Sequence, residues 1–311
     1  MGLWDALKRL FGGNGQIVPQ RAEEQWTGMG PGHHVSPDDA LALLRETGFA
    51  HLAPQLEPLM RPAIHLTATP VEADSLPMGA SRLGGPADLP AGMDWPRWDK
   101  GPLALLAQLR VSEVSEHDVD SLLPETGILS VFYDAVEQPW GMGPEDAEAW
   151  RVIYSEGEDG FVRMAPPEDL DEWARFAPHT VQMRTAGSFP TWQTLDAGSD
   201  IQFEDDEEEE YYIEWLASIT DAGREHSTWL LGWPLEIQND VHEEAHYASQ
   251  GADWNSEVPG DPRDWRLLLQ VDTMESPQWM WGDAGMLYFM IREDDLAARR
   301  FEDCWMTLQC Y

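Results

Sequence analysis

Three short motifs occur twice in this chain in the same order, and this internal repeat is the feature that most restricts the fold. The first pair is LGGP at 83–86 and LGWP at 231–234, the second is LLAQL at 105–109 and LLLQV at 267–271, and the third is GILSV at 127–131 and GMLYF at 285–289. Short apolar runs next to glycine-containing turns are typical of buried strands. We therefore expect a duplicated β architecture, with repeats at about 63–135 and 211–300.

Each copy of the second motif carries one polar residue, Gln108 or Gln270, within a run of apolar residues. A buried amide must form hydrogen bonds, so these glutamines are expected to bond neighbouring backbone groups and to brace the sheet. The alternative is that the two glutamines line a cleft between the repeats. In that case Arg82, Trp281 and Asp283 are the further candidates for its lining.

Outside the repeats, local signals predict short helices and an N-terminal extension. Residues 3–11 are amphipathic, and the glycine- and proline-rich stretch that follows, to residue 35, indicates a flexible linker. Ser36-Pro37 begins a helix that Gly48 is expected to end. Residues 63–69 and 211–215 are expected to be strands. The predicted fold class is α+β, with an amphipathic helix and linker in residues 1–35 and a single domain at 36–311 with short peripheral helices.

The chain is strongly acidic, which excludes some classes of function. Its 57 Asp and Glu residues against 19 Lys and Arg give a net charge of −38, and the lysines are Lys8 and Lys100 alone. Affinity for nucleic-acid phosphates comes from clustered basic residues, so we expect no nucleic-acid partner. The charge favours a basic protein partner, although adaptation to a salt-rich host would produce the same composition.

The cysteines and the hydropathy pattern predict the compartment. Cys304 and Cys310 are too few for a disulfide framework in a chain of 311 residues. The start lacks the apolar core of a secretory signal, and no window approaches the length of a transmembrane helix. We expect a cytoplasmic protein without a membrane span, in which residues 3–11 leave open a peripheral membrane contact.

A longer series of motifs connects the chain to a known family. The series is SRLGGPADLP at 81–90, WP at 95–96, LAQL at 106–109, LGWP at 231–234, IQ at 237–238, WGDAG at 281–285 and a tryptophan at 305. From about residue 64 to residue 311, the chain resembles the YwqG-like proteins, bacterial proteins built on a domain of unknown function. The resemblance implies one cytoplasmic α+β domain with a duplicated, largely antiparallel sheet. It implies no established reaction, and it adds the expectation of an immunity or interaction role beside toxins.

Residues 242–246, with the sequence HEEAH, match the pattern of zinc proteases, in which two histidines bind the metal and a glutamate activates water. The residues that follow lack the glycine and third histidine of the extended signature, and the resemblance places an extended segment here. A strand would direct Glu243 away from His242 and His246. We therefore expect a solvated polar strand, and we assign the chain no metal, no cofactor and no catalytic residue.

Seven consecutive acids at 204–210 form a second candidate segment. Like charges repel and extend a chain, so the run predicts a solvated loop ahead of the strand at 211–215. The sharper hypothesis is that Glu207, Glu208, Glu209 and Glu210 attract a basic partner and raise its association rate.

The segment at 279–283 combines Trp279 and Trp281 with Asp283 between two predicted strands. Aromatic residues in a short loop can plug the end of a core, or they can be exposed as an interface hot spot. Taken with the charge, the sequence favours a non-enzymatic cytoplasmic interaction protein that binds a basic protein, of the immunity type. The alternative is an enzyme or a small-ligand-binding protein with its cleft between the two repeats.

Overall fold

The computed structural model describes residues 35–46, 50–198, 201–220, 227–254 and 256–311. The predicted N-terminal helix and almost all of the predicted linker lie outside the described residues, as does Gly48. Val35 is described and is buried, and its carbonyl accepts a hydrogen bond from the Gly187 amide at 3.1 Å. The first described residue is therefore already packed against the strand that contains Gly187.

One antiparallel sheet of ten strands forms most of the protein, and two small two-stranded sheets accompany it. The order of strands across the large sheet is β14-β13-β12-β11-β1-β10-β2-β6-β7-β8, while β3 pairs with β9 and β4 with β5. The bounds are β1 Arg61–Pro70, β2 Arg82–Leu83, β3 Ala87–Pro90, β4 Arg97–Trp98, β5 Gly101–Pro102, β6 Ala104–Arg110, β7 Ile128–Tyr133, β8 Trp150–Ser155, β9 Phe161–Met164, β10 His179–Ser188, β11 Trp229–Leu231, β12 Trp265–Asp272, β13 Met286–Arg292 and β14 Trp305–Gln309.

The large sheet is organised around the central pair β1 and β10, which are hydrogen-bonded along their whole length. On one side of this pair the order is β2-β6-β7-β8, the first half, and on the other it is β11-β12-β13-β14, the second half. The pairing of β6 with β7 shifts register between Leu105 and Ala107, and that of β12 with β13 shifts between Leu267 and Leu269. The two halves thus share strand order and an irregularity at matching positions, while their origin by duplication stays a prediction.

The strand register corrects the sequence alignment of the first motif by one residue. Leu83 lies opposite Ala107, and the residue that lies opposite Leu269 is Leu230 rather than Leu231. The matching glycines are therefore Gly85 and Gly232, which both have positive φ, at 78° and 68°. Glycine is needed at both turns because a Cβ atom on Gly85 would lie 2.6 Å from the Cβ of Pro178 and one on Gly232 would lie 2.6 Å from that of Ala63.

The sheet curls until its two edges meet, so it is nearly closed. The Trp150 indole of β8 donates to the Cys304 carbonyl at 2.9 Å, and the Trp305 indole of β14 donates to the Gly141 carbonyl at 3.0 Å. The two indoles pack edge to face with ring centroids 5.0 Å apart. One large apolar cluster with members from both halves fills the structure, which explains why the motif strands are apolar on both faces.

Short helices lie outside the strands, as the sequence predicted. Their bounds are α1 Pro37–Glu46, α2 Ala53–Leu56, α3 Val111–Ser115, α4 Trp192–Gly198, α5 Asp206–Ile219, α6 Val241–Ala248 and α7 Glu293–Ala297. The Ser36 hydroxyl accepts the Asp39 amide at 3.2 Å, which confirms the expected start of α1. In the described part of the chain, no helix combines the length and apolar character needed to cross a membrane.

Two segments that the sequence predicted as extended are helical, so both predictions were wrong. Residues 206–219 form α5, where Tyr212, Trp215, Leu216 and Ile219 are buried at helical spacing. The predicted strand at 211–215 and most of the predicted acidic loop therefore belong to one helix.

The HEEAH segment belongs to α6. Asp240 caps this helix by accepting the amides of His242 and Glu243 at 2.8 and 3.1 Å, and Val241, Ala245 and Ala248 are buried on one face. The predicted solvated polar strand is therefore replaced by a capped helix with an inward apolar face.

Candidate functional site

Gln108 and Gln270 are both fully buried and make matching hydrogen bonds in the two halves. The Gln270 carbonyl oxygen accepts the Leu235 amide at 3.0 Å and its amide nitrogen donates to the Ser227 carbonyl at 2.6 Å. The Gln108 carbonyl oxygen accepts the Asp88 amide at 2.7 Å, and its nitrogen lies 3.5 Å from the Ala80 carbonyl. Both glutamines therefore bond neighbouring backbone groups, as the bracing hypothesis expects. Neither side chain is available to line an open cleft.

Arg82 is fully buried, and all of its N–H groups are used inside the protein. Its Nε and Nη2 donate to the Pro86 carbonyl at 2.9 and 2.6 Å, its Nη1 donates to the Ala80 carbonyl at 2.9 Å and to Asp88 at 3.1 Å, and Nη2 also reaches Gln108 at 3.1 Å. This guanidinium therefore anchors the turn after β2 instead of presenting a charge to a ligand.

Asp88 completes this buried ion network. It accepts hydrogen bonds from Arg163 Nε and Nη2 at 2.8 and 3.0 Å and from the Gly79 amide at 2.7 Å. Burial opposes ionisation, but the hydrogen bonds from Arg163 and the charge of Arg82 outweigh it and lower the pKa of Asp88 to about 2. The network is a stabilising structure with its charges and hydrogen bonds satisfied.

The tryptophans of the 279–283 segment are buried, whereas its other members are exposed. Trp279 and Trp281 pack against the Phe176 ring at centroid distances of 5.6 and 6.1 Å, and the Trp281 indole donates to the Asp272 carbonyl at 3.2 Å. In this conformation neither ring can touch a partner, so they close the end of the core. The alternative that these aromatic side chains are exposed as an interface hot spot does not hold for Trp279 and Trp281, while Asp283 is exposed.

The carboxylates of Glu207, Glu208, Glu209 and Glu210 lie at the N-terminal end of α5, where negative charge stabilises a helix. Glu208 accepts the Glu204 amide at 2.6 Å and lies 3.4 Å from the His51 ring. Part of the acidic run therefore has an internal structural role.

His242 of the HEEAH motif is joined to acids rather than to the second histidine of the motif. The one group of three potential metal ligands in the described parts of the chain is Glu236, Asp240 and His242. Glu236 accepts from the hydroxyls of Thr191 and Thr194 and, at 3.1 Å, from the Val241 amide.

This group already has its counter-charges. Asp240 accepts from Arg263 at 2.7 Å and from His242 Nδ1 at 3.2 Å. Burial lowers the pKa of His242, but the hydrogen bonds to Asp240 and Glu236 outweigh burial and raise it. Burial raises the pKa of Glu236, which disfavours its charged form. Asp240 is already bonded to Arg263 and His242, so a metal ion bound by this group would have to displace Arg263.

Four of the large apolar side chains exposed to solvent lie where the two sheet edges meet. Trp140, Met142, Met280 and Tyr311 expose 41%, 66%, 56% and 37% of their surface. We call these four residues the seam surface. Single exposed apolar residues are normal on a protein surface, whereas several that lie close together are typical of interaction sites.

Hydrogen bonds hold the seam surface together. The Gln138 side chain donates to the Met280 carbonyl at 2.9 Å and accepts the Gly282 amide at 2.8 Å. The Trp140 carbonyl accepts the Leu308 amide at 3.1 Å. Sequence reasoning singled out the segment at 279–283 and missed the segment at 138–142, whose signal is the PWGMG sequence at 139–143.

A cavity of about 520 Å³ lies between the loop at 121–124 and the second half of the sheet. Its polar lining includes Arg266, Glu293 and Arg299, and its apolar lining includes Leu122 and Leu296. The cleft predicted between the repeats is a different site. The lining of this cavity contains none of the residues predicted for that cleft, which are Arg82, Gln108, Gln270, Trp281 and Asp283.

The fold and these surfaces define a mainly antiparallel β protein with candidate sites for binding. The chain belongs to the family described as "Domain of unknown function (DUF1963)", whose model matches residues 81–310. No curated protein matches the sequence.

Proposed function

We propose that this protein is a non-enzymatic interaction protein that binds a basic protein partner through the seam surface. The observation that carries the proposal is the exposure of Trp140, Met142, Met280 and Tyr311 together in a chain with a net charge of −38. Tryptophan, tyrosine and methionine are enriched at protein interfaces.

Acidic side chains accompany the seam surface and favour a basic partner. Glu137 and Glu145 flank the segment at 138–142, and Asp283 follows Met280 on the other segment; all three are exposed. The Tyr311 amide donates to the Asp283 carbonyl at 3.1 Å, so Tyr311 is held beside this acid. An apolar centre with an acidic rim suits a partner with an apolar anchor and basic flanks.

The net charge alone would be explained equally well by adaptation to salt, because an acidic surface keeps a protein soluble. Adaptation does not explain large apolar side chains left in solvent at the seam. In this proposal the carboxylates of α5 attract the basic partner electrostatically over a distance. The seam surface makes the direct contact.

The finer predictions from sequence belong to the same proposal. We infer that the YwqG-like resemblance and the family of unknown function are one family, that the two halves arose by duplication, and that the protein is a cytoplasmic immunity-type factor without a nucleic-acid partner. The matching bonds of Gln108 and Gln270 support duplication, and the free thiols of Cys304 and Cys310 support a reducing compartment.

The test is capture of partners from native lysate by the wild-type chain, by Trp140→Ser with Met280→Ser, and by Met78→Ser. Met78 is also an exposed methionine, at 44%, and its carbonyl bonds Arg110, away from the seam. We expect the wild type and Met78→Ser to retain a basic protein at low salt. The double variant Trp140→Ser with Met280→Ser, the seam variant, should lose it. Retention by the seam variant, or the absence of any basic protein, would contradict the proposal.

A further inference from the structure

His179 and Ser276, which are 97 residues apart in the sequence, form a side-chain pair at the start of β10. The His179 Nε2 atom lies 2.6 Å from the Ser276 hydroxyl oxygen, and its Nδ1 atom lies 3.0 Å from the Ala177 carbonyl oxygen. His179 is buried, whereas Ser276 is exposed. A solvent-facing hydroxyl is therefore bonded to an imidazole that the protein encloses.

The two hydrogen bonds fix the positions of the protons. A carbonyl oxygen only accepts hydrogen bonds, so the bond to Ala177 places a proton on Nδ1 of His179. In the neutral ring Nε2 is then the acceptor, and the Ser276 hydroxyl donates to it. This arrangement activates a serine as a nucleophile, because the base that receives the hydroxyl proton is itself held in place by a third group.

Both side chains are carried by backbone that the fold holds in place. The backbone of His179 is paired with that of Leu83 in β2. Ser276 belongs to a turn that is closed by two hydrogen bonds between Met274 and Trp279, at 3.0 and 2.8 Å. The fold thus sets the position of the hydroxyl relative to the imidazole, and reactive groups need such support to stay aligned.

Gly84 makes room for the carbonyl group that orients the imidazole. Its φ is 64°, and a Cβ atom there would lie 2.7 Å from the Ala177 carbonyl oxygen. Since Gly85 matches Gly232, the residue of the second half that matches Gly84 is Leu231, which also has positive φ, at 57°. The second half thus accepts a side chain at this turn position, whereas the first half keeps a glycine where the Ala177 carbonyl approaches.

The turn that contains Ser276 also has free backbone amides. In the parts of the chain that the structure describes, the Ser276 and Gln278 amides donate to no acceptor, and both residues are exposed. When a nucleophile attacks a carbonyl carbon, negative charge develops on the carbonyl oxygen, and free amides stabilise it. The turn therefore supplies donors of the kind that acyl transfer requires.

We propose that Ser276 is an acylation site, at which the chain accepts the acyl group of an activated ester or thioester. His179 Nε2 takes the hydroxyl proton while Oγ forms its bond to the carbonyl carbon, and the bond between that carbon and the leaving oxygen or sulfur then breaks. The leaving group takes the proton from His179. The products are an O-acyl serine and an alcohol or a thiol, and the imidazole returns to its neutral form.

This modification goes beyond the proposed binding of a basic protein and does not depend on it. Neither Ser276 nor His179 belongs to the seam surface, so either proposal can fail without the other. The sequence does not reveal the pair, because the two residues come together only when the turn packs beside the start of β10.

The experiment treats the full chain with p-nitrophenyl acetate, stops the reaction with acid and locates acetyl groups by peptide mass spectrometry. We expect Ser276 to be acetylated at least about tenfold faster than Ser75. Ser75 is an exposed serine whose hydroxyl donates to the Glu72 carbonyl at 2.7 Å, and a carbonyl cannot take its proton. Acetylation of Ser276 that is no faster than that of Ser75 would overturn the proposal.

A variant of the base separates proton transfer from a structural hydrogen bond. His179→Gln keeps an acceptor for the Ser276 hydroxyl but cannot take its proton, so acetylation of Ser276 should slow at least about tenfold. Acetylation of the exposed Lys100, the internal reference for the reactivity of the ester, should stay unchanged. The matched control Ser75→Ala should be acetylated at Ser276 as fast as the wild type.

The melting temperature of each variant shows whether it is folded. Acetylation of Ser276 at the wild-type rate in folded His179→Gln would show that the imidazole is only structural and would overturn the proposal. If His179→Gln does not fold, the comparison of Ser276 with Ser75 in the wild-type chain decides the question alone.

Discussion

Gln270 and Gln108 occupy matching places in the two halves of the sheet: each lies on the second strand of its half and accepts a backbone amide from the segment that follows the first strand. The acceptor distances are 3.0 Å to Leu235 and 2.7 Å to Asp88. Each glutamine thus ties a strand to the turn that leaves the neighbouring strand. This tie explains why a polar residue is placed in the most apolar runs of the chain.

Replacement of Gln270 by Ala is expected to destabilise the protein by about 3 kcal/mol, because the Leu235 amide and the Ser227 carbonyl lose their buried partner and a void remains. Gln250→Ala is the control, since this half-buried side chain at the end of α6 donates to the His246 carbonyl at 2.9 Å beside solvent. The control should cost less than about 1 kcal/mol. Urea unfolding measures the loss of stability in both variants. Equal losses in Gln270→Ala and Gln250→Ala would contradict the bracing role of Gln270.

Gly85 lies in the tight turn after β2, and Gly92, which follows β3, serves as its control. Both have positive φ, at 78° and 89°, but a Cβ atom on Gly85 would lie 2.6 Å from Pro178, whereas nothing lies within 4 Å of one on Gly92. Alanine at either position adds backbone strain of about 1–2 kcal/mol. Gly85→Ala should cost roughly 1–3 kcal/mol more, because it overpacks the turn. If the two variants unfold at the same urea concentration, the close approach is not rigid.

The sequence predicted the sheet better than the helices. The motifs at 105–109 and 267–271 become β6 and β12 because buried antiparallel strands need only a local apolar run and a turn. Charge favours an extended acidic run and the family pattern favours an extended HEEAH segment, but in the folded chain the helical spacing of Tyr212, Trp215 and Leu216 buries an apolar face. The sequence signals for these two helices are their N-cap residues, Asp205 for α5 and Asp240 for α6.

The candidate sites depend on contacts that no local pattern contains. Gln138 and Met280, which join the seam, are 142 residues apart and meet because the sheet edges approach each other. The sequence predicts a candidate site at 279–283. It does not predict which side chains of this segment are exposed to solvent.

Glu244 should make stability depend on pH near neutrality. Burial raises its pKa to about 7, although Asn239 and Gln309 donate to it at 3.0 and 2.9 Å. The pKa in the folded state lies above the value of about 4.3 in an unfolded chain, so the unfolded chain ionises first. Stability from this group is therefore present below about pH 4 and is lost as the pH rises to about 7, by about 3 kcal/mol.

The variant Glu244→Gln removes this titration, so its free energy of unfolding should vary less between pH 4 and pH 7 than that of the wild type. The slope is the readout, because the amide also changes the bonds to Asn239 and Gln309 and so shifts the stability by an amount that does not depend on pH. Glu257→Gln, at an exposed glutamate, is the control and should keep the wild-type slope. An unchanged slope in Glu244→Gln would show that Glu244 is ionised throughout the range.

The acidic run supplies the last prediction, because its helical structure reverses the effect expected of a loop. In a loop, serine in place of Glu207–Glu210 would relieve repulsion and leave stability equal or higher. In α5 these positions lie in the first turns, where serine is a poorer helix former than glutamate by a few tenths of a kcal/mol per residue and the dipole interaction is lost. We therefore expect the serine variant to be destabilised by about 1–2 kcal/mol in low salt.

Single variants at the same helix end separate capping from charge. Asp205→Ala removes the acceptor of the Glu208 amide at 3.0 Å and should cost about 1 kcal/mol. Asp206→Ala, one residue further on, removes the same charge without the cap and should be close to neutral. In 0.5 M salt the loss from Asp205→Ala should persist, because a hydrogen bond is not screened, whereas the dipole part of the serine variant's loss should shrink. A serine variant as stable as the wild type in low salt would show that repulsion within the run outweighs its contribution to the helix.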